Sequence, residues 1–116
     1  MASFESFLPL HKDVLHILVS LADRDRHGYS VMQEVAERTG GVVKLSPSSL
    51  YSAIRRLLEQ GLIEELAERP ADDDERRRYY RITKLGRGVA MAEVERMEQI
   101  LASARRVGLA PKQENS

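Results

Sequence analysis

The stretch LSPSSLYSAIRRLLEQGLIEE, residues 45–65, carries both ends of one helix and the start of the element that follows it. Ser46 stands where a helix N-cap belongs, and Pro47 takes the first helical position, where a missing N–H leaves no bond unmade. Gly61 comes just past the last periodic residue and can adopt the positive φ that ends a helix. Between these marks Leu50, Ala53, Ile54, Leu57 and Leu58 recur at helical spacing as one apolar stripe. Ser48, Ser49, Ser52, Arg55, Arg56 and Glu59 are left on the outer faces. After Gly61 the period changes to two, with Ile63, Glu65 and Ala67 alternating against Leu62, Glu64 and Leu66, which predicts a strand.

Upstream, HKDVLHILVSLA (residues 11–22) places Val14, Leu15, Leu18 and Leu21 at helical spacing, with Ile17 beside them and Pro9 ahead as a start signal. After the polar break DRDR, HGYSVMQEVAERTGG sets Val31 or Met32 against Val35 and ends on Gly40 and Gly41, so a second helix is predicted over 28–39. Three short helices, the third the best marked, predict a helix-turn-helix. Downstream, RRYYRIT (77–83) alternates Tyr80 and Ile82 against Tyr79 and Arg81, a second strand joined to the first around PADDDE. Thr83 is an N-cap for a last helix running from Lys84 to about Val107, roughly 36 Å at 1.5 Å per residue. LAPKQENS then reads as a frayed tail. The expected architecture is mainly α with a small β-hairpin: a winged helix-turn-helix over 1–83, a dimerisation helix over 84–108 and a disordered tail over 109–116.

Composition bounds what such a chain can do. At 116 residues, 42% hydrophobic and 31% charged, it suffices for one modest core. There is no cysteine, and His11, His16 and His27 lack partners at metal-ligand spacing, so neither a metal nor a cofactor is expected. His27, before a glycine at a helix start, reads as a local cap or turn residue. No run of 18 apolar residues occurs, and the N-terminus has neither a basic region nor an apolar core of a secretion signal, so a cytoplasmic location without a membrane is expected. No nucleophile stands beside a base and no GxxxxGK loop is present, so an enzyme is not expected.

Local charge is uneven although 18 basic and 18 acidic residues cancel. Residues 61–75 hold seven acids and one base, a net of −6; residues 76–91 hold six bases and no acid, a net of +6. The sign changes inside DDDERRRYYRIT, residues 72–83, at the tip of the hairpin. Glu64, Glu65 and Glu68 are placed to pair across the ladder with arginines, each exposed pair contributing under about 1 kcal/mol. Three successive arginines cannot share one face of a strand, however, so at least one points outward, where it suits a phosphate.

These residues resemble PadR-type winged helix-turn-helix transcriptional regulators along nearly the whole chain. The pattern is carried by HGYSVMQEV, by LSPSSLYSAIRRLLEQGLIEE and by RRRYYRITKLGR, in that order and spacing. The resemblance implies a homodimeric DNA-binding repressor, with the third helix in the major groove, the wing along the backbone and the last helix in the dimer interface. It also implies phosphate contact for Tyr51. Arg24 and Asp25 stand where members often carry Gly-Pro, which affects the turn, and the single C-terminal helix is similar to the shorter branch of the family. Without tryptophan the chain lacks the ring that some multidrug-sensing relatives stack on planar ligands, and no effector is assigned.

Candidate DNA contacts are Lys44, Ser48, Ser49, Tyr51, Ser52, Arg55, Arg56, Arg77, Arg78, Tyr79 and Arg81, with arginine best suited to phosphates and guanine edges. Each has a plainer reading: the serines as solvent-facing helix residues, Arg55 and Arg56 as partners of Glu59, the tyrosines as half-buried packing. Along the last helix Ala90, Val94, Met97, Leu101, Ala104 and Gly108 recur at spacings of four and three, the seam that packs helix on helix, with Val89, Ile100 and Val107 as a second apolar edge. Leu8, Leu15 and Leu18 are expected to join this homodimer interface from the first helix. The expected partners are thus double-stranded DNA and a second copy; a winged-helix module binding protein or RNA is the alternative.

Overall fold

Among residues 4–67 and 77–111, which the computed structural model describes, the chain forms a short 3-10 turn, four α-helices and three strands. Helix α1, Lys12–Ala22, begins where the His11 ring accepts the Asp13 N–H. Its residues Val14, Ile17, Leu18 and Leu21 are buried at spacings of three and four. Pro9 lies outside it, in an arm preceded by the 3-10 turn Phe4–Phe7, which no periodicity announces. Helix α2, Gly28–Arg38, is capped by His27, whose Nδ1 accepts the Ser30 N–H at 3.1 Å. It buries Val31 and Val35 and ends on Gly40 and Gly41, both at positive φ.

Helix α3, Pro47–Glu59, has the expected bounds: the Ser46 hydroxyl accepts the Ser49 N–H at 3.1 Å, Pro47 opens the first turn, and Gly61 has φ 75°. Leu50, Ile54 and Leu57 point into the core.

The sheet corrects the expectation of a simple hairpin. The polar break holds strand β1, Arg26–His27, which joins β2, Ile63–Glu65, and β3, Tyr79–Ile82, in the order β1-β3-β2, all antiparallel. Arg26 pairs with Tyr80 on one side of β3 and Ile63 with Ile82 on the other. Arg26 also donates from Nε to the Ser20 carbonyl at 2.7 Å, tying the break to the end of α1. Both wing strands are shorter than their alternation suggests. The expected tip PADDDE, Glu68 and Arg76 lie outside the described residues.

Helix α4, Lys84–Arg106, starts on Thr83, whose hydroxyl accepts the Gly86 N–H at 3.0 Å and donates to the Gly61 carbonyl at 2.7 Å. Gly86 is required there: a Cβ would lie 1.9 Å from the Leu62 carbonyl oxygen. The first half of α4 packs on the common core through Val89, which is buried and so cannot form the expected second apolar edge. Glu93, 1% exposed, accepts the Leu10 N–H at 2.8 Å and pairs with Arg96. The Arg96 guanidinium holds this carboxyl below the ordinary glutamate range; burial opposes the shift and the Leu10 N–H adds to it. At the far end Leu109–Pro111 turn back, the Arg105 guanidinium donating to the Pro111 carbonyl at 3.0 Å. Among the described residues no helix is long and apolar enough to cross a membrane.

Candidate nucleic-acid interface

Helix α3 is gripped on one side and open on the other. Opposite its Leu50–Ile54–Leu57 stripe, at 3.6 residues per turn, stand Ser48, Ser52 and Arg55, all exposed. Ser49 and Arg56 flank them on the side of α1, where with Ser52 they line a small cleft beside His11 and Asp13. Tyr51 flanks them on the side of the wing, next to Arg55. Neither Arg55 nor Arg56 pairs with Glu59 or with any other acid among the described residues, so the plainer reading of these two arginines does not hold. Lys44 is exposed at the foot of the helix.

A cleft of about 460 Å³ opens between α3, the start of α2 and the wing. The structure brings Tyr51, Arg55, Arg77 and Arg78 together around it, with His27, Gly28 and Tyr80 behind them. Arg78 reaches Glu65 at 3.5 Å, the cross-strand pairing expected, but both side chains are well exposed, and such a pair contributes little. Arg77 approaches His27, Nη1 to Nε2 at 3.4 Å. Tyr79 is half-buried with its ring edge-on to His27 at 5.3 Å, and His27 serves as the local cap the sequence indicates. Tyr80 is buried, and that burial, ahead of the nearby Glu65 carboxylate, pushes its hydroxyl pKa upward.

Arg81 lies elsewhere. It leaves the opposite face of β3 and grips Asp25 with two bonds, Nε to Oδ1 at 3.0 Å and Nη2 to Oδ2 at 2.8 Å. Nothing in the spacing of the sequence links these residues, 56 positions apart. Asp25 occupies the turn position at which the sequence departs from its family pattern, and the ion pair fixes that turn to the wing.

A second surface is apolar. Phe4, Val19, Met91 and Val94 line a cavity of about 650 Å³ between the 3-10 turn, α1 and α4, rimmed by Arg87, Glu95 and Glu98. Of the residues expected at a subunit interface, Val94, Met97, Ile100 and Leu101 are exposed on α4, and Ala90, Ala104, Leu8 and Leu15 are partly covered. Leu18 is a correction: at 0% exposure it belongs wholly to the chain's own core, because α1 turns its 14–17–18–21 stripe inward. Val19, which periodicity leaves off that stripe, is the residue exposed there.

A three-helix unit followed by a paired wing, with a polar and basic outer face on its third helix, defines a winged helix-turn-helix protein. The chain belongs to the PadR-like family of transcriptional regulators, whose pattern it matches over residues 15–92. A transcriptional regulator from Clostridium thermocellum, 25% identical, superposes with a TM-score of 0.70 over 84% of this chain and 97% of its own. A PadR family transcription regulator from hypervirulent Clostridium difficile R20291, 22% identical, gives 0.71 over 81% and 95%. An uncharacterized protein of Lysinibacillus sphaericus is 35% identical over 71 residues, 61% of this chain and 64% of that protein. The chain thus spans less than two thirds of the length of that curated relative.

Proposed function

We propose that the protein is a repressor that binds a short inverted-repeat operator as a homodimer, with α3 in the major groove and the wing along the phosphate backbone. The observation that carries this reading is the open face of α3: Ser48, Ser52 and Arg55 project together, with Arg55 unpaired among the described residues, beside a cleft that adds Arg77 and Arg78. Serine donates to phosphates, and arginine reads phosphates and guanine edges. Lys44, Ser49, Tyr51 and Arg56 widen this contact surface, and Tyr79 supports the wing. Arg81, held by Asp25, shapes the wing.

The exposed seam of α4 supports the second copy. Beyond Glu93 the helix buries nothing in its own subunit, yet Val94, Met97, Ile100 and Leu101 continue along it. A second α4 packed on that seam, with Val19 and Phe4 at its margin, removes these side chains from water. Helix-turn-helix dimers in general place two recognition helices about one duplex turn, roughly 34 Å, apart, and a dimer joined along α4 would serve that spacing.

Selection of fragments from a random duplex pool by the purified protein tests the reading. A recovered inverted repeat, bound with an affinity that falls steeply as salt rises, is the expected result. Recovery of no enriched inverted repeat, or stronger binding to single-stranded RNA in a competition assay, overturns it.

A further inference from the structure

We propose that Gly28 is a positioning residue: it leaves the space that lets the Tyr51 ring lie against the start of α2, with its hydroxyl presented to a phosphate oxygen of the bound duplex. The proposal rests on the DNA-binding reading and adds a residue that touches no DNA. Gly28 is buried at the first position of α2. Its backbone does not need glycine, because it is not among the four glycines at positive φ, which are Gly40, Gly41, Gly61 and Gly108. Alanine is the better residue for a helix. What excludes a side chain is the tyrosine: a Cβ on Gly28 would stand 2.7 Å from the Tyr51 hydroxyl oxygen and 3.0 Å from Cε1 and Cζ of its ring.

The other side of that ring is open. Tyr51 is 49% exposed, and its hydroxyl bonds to no described residue. The hydroxyl lies at the amino end of α2, where the helix dipole favours an anion, and in the same cleft as Arg55, Arg77 and Arg78. A tyrosine hydroxyl donates one hydrogen bond in a direction fixed by its ring, so the orientation of the ring decides whether the bond reaches the phosphate. A methyl group at position 28 displaces the ring rather than the backbone, since the colliding atoms are the far end of a side chain that can rotate outward.

The test is a double-mutant cycle on a duplex selected by the wild-type protein, with thermal melting of every variant. Gly28→Ala is expected to melt at or above the wild-type temperature and to bind roughly tenfold more weakly per subunit, the size of one hydrogen bond to a charged oxygen. Because tyrosine carries no charge, the salt slope is expected to stay the same. Tyr51→Ala is expected to lose at least as much, and adding Gly28→Ala to it to cost nothing further. Wild-type affinity in Gly28→Ala overturns the proposal, as do losses that add in the double variant. NMR of the free protein reads the packing separately: the Gly28 α-proton signals are shifted by the Tyr51 ring and return to ordinary values in Tyr51→Ala. Absence of that shift overturns the packing. If no duplex is selected while the shift is present, the DNA-binding reading fails and takes the positioning role with it.

Discussion

Helices α3 and α4 are built alike and left open differently. Each starts on a hydroxyl cap, Ser46 or Thr83, and each buries a stripe at spacings of three and four. On α3 the uncovered face carries Ser48, Ser52 and Arg55; on α4, past Glu93, it carries Val94, Met97, Ile100 and Leu101. Helical propensity does not separate the two. The chemistry of the uncovered face does: a polar and cationic face is satisfied by water or by a polyanion, while an apolar one of this extent is satisfied only by another apolar surface.

Substituting the wrong chemistry on either face breaks the comparison. Leu101→Asp has the largest expected effect, because a carboxylate on the seam costs several kcal/mol when buried unpaired. At about 1.4 kcal/mol per factor of ten, association falls at least a hundredfold, and light scattering is expected to show half the wild-type mass together with loss of operator binding. A variant that stays dimeric and binds would remove α4 from the interface. Ser52→Glu, on α3, is expected to abolish DNA binding alone. The new carboxylate gains Arg55 and Arg56 as neighbours three and four residues on, so melting stays at the wild-type value while binding meets like-charge repulsion.

Replacing Arg77 and Arg78 together by alanine sharpens the picture instead of breaking it. The logarithmic salt dependence of binding is expected to flatten by roughly one unit for each lost phosphate contact, with specificity little changed. An unaltered slope would reduce the wing to a salt-bridged hairpin.

The smallest effect concerns neither open face. Glu93 has a folded pKa below its ordinary value, so its ionised form adds stability that is fully present above the ordinary glutamate value of about 4.3 and is lost as pH falls through the lower folded value. Glu93→Gln is therefore expected to melt below the wild type at neutral pH, with the gap narrowing on acidification below pH about 4. A constant gap would trace the stability to packing alone.

Much of this was legible in the chain, and the reason is local chemistry. Ser46, Pro47 and Gly61 bound α3, and Thr83 starts α4, because caps act within a few residues of where they are written. The change to period two announced the wing and the run of serines and arginines announced the face. Contacts across the chain were not legible. Strand β1 has two residues, too few for any period, and exists because β3 has a free edge beside it. Glu93 looks like a surface residue by type; its spacing from Gly86 and Val89 places it on the core stripe, but only the Leu10 N–H and Arg96 explain how a carboxylate is accommodated there. Leu18 and Val19 changed places because a helix buried on a wide face leaves few of its apolar positions free, and periodicity alone does not say which.

The close seating of Gly86 on the Leu62 carbonyl, with Thr83 bonded to the end of α3 through Gly61, leaves no hinge between α3 and α4. In a dimer joined along α4, the protein would behave as a caliper with a fixed opening. Such a device tolerates a changed letter in an operator better than a changed length. One inserted base pair between the half-sites moves the second of them by about 3.4 Å and turns it by roughly 34°. A jaw without a joint cannot follow that displacement, so spacing would be the more strictly kept property of its sites.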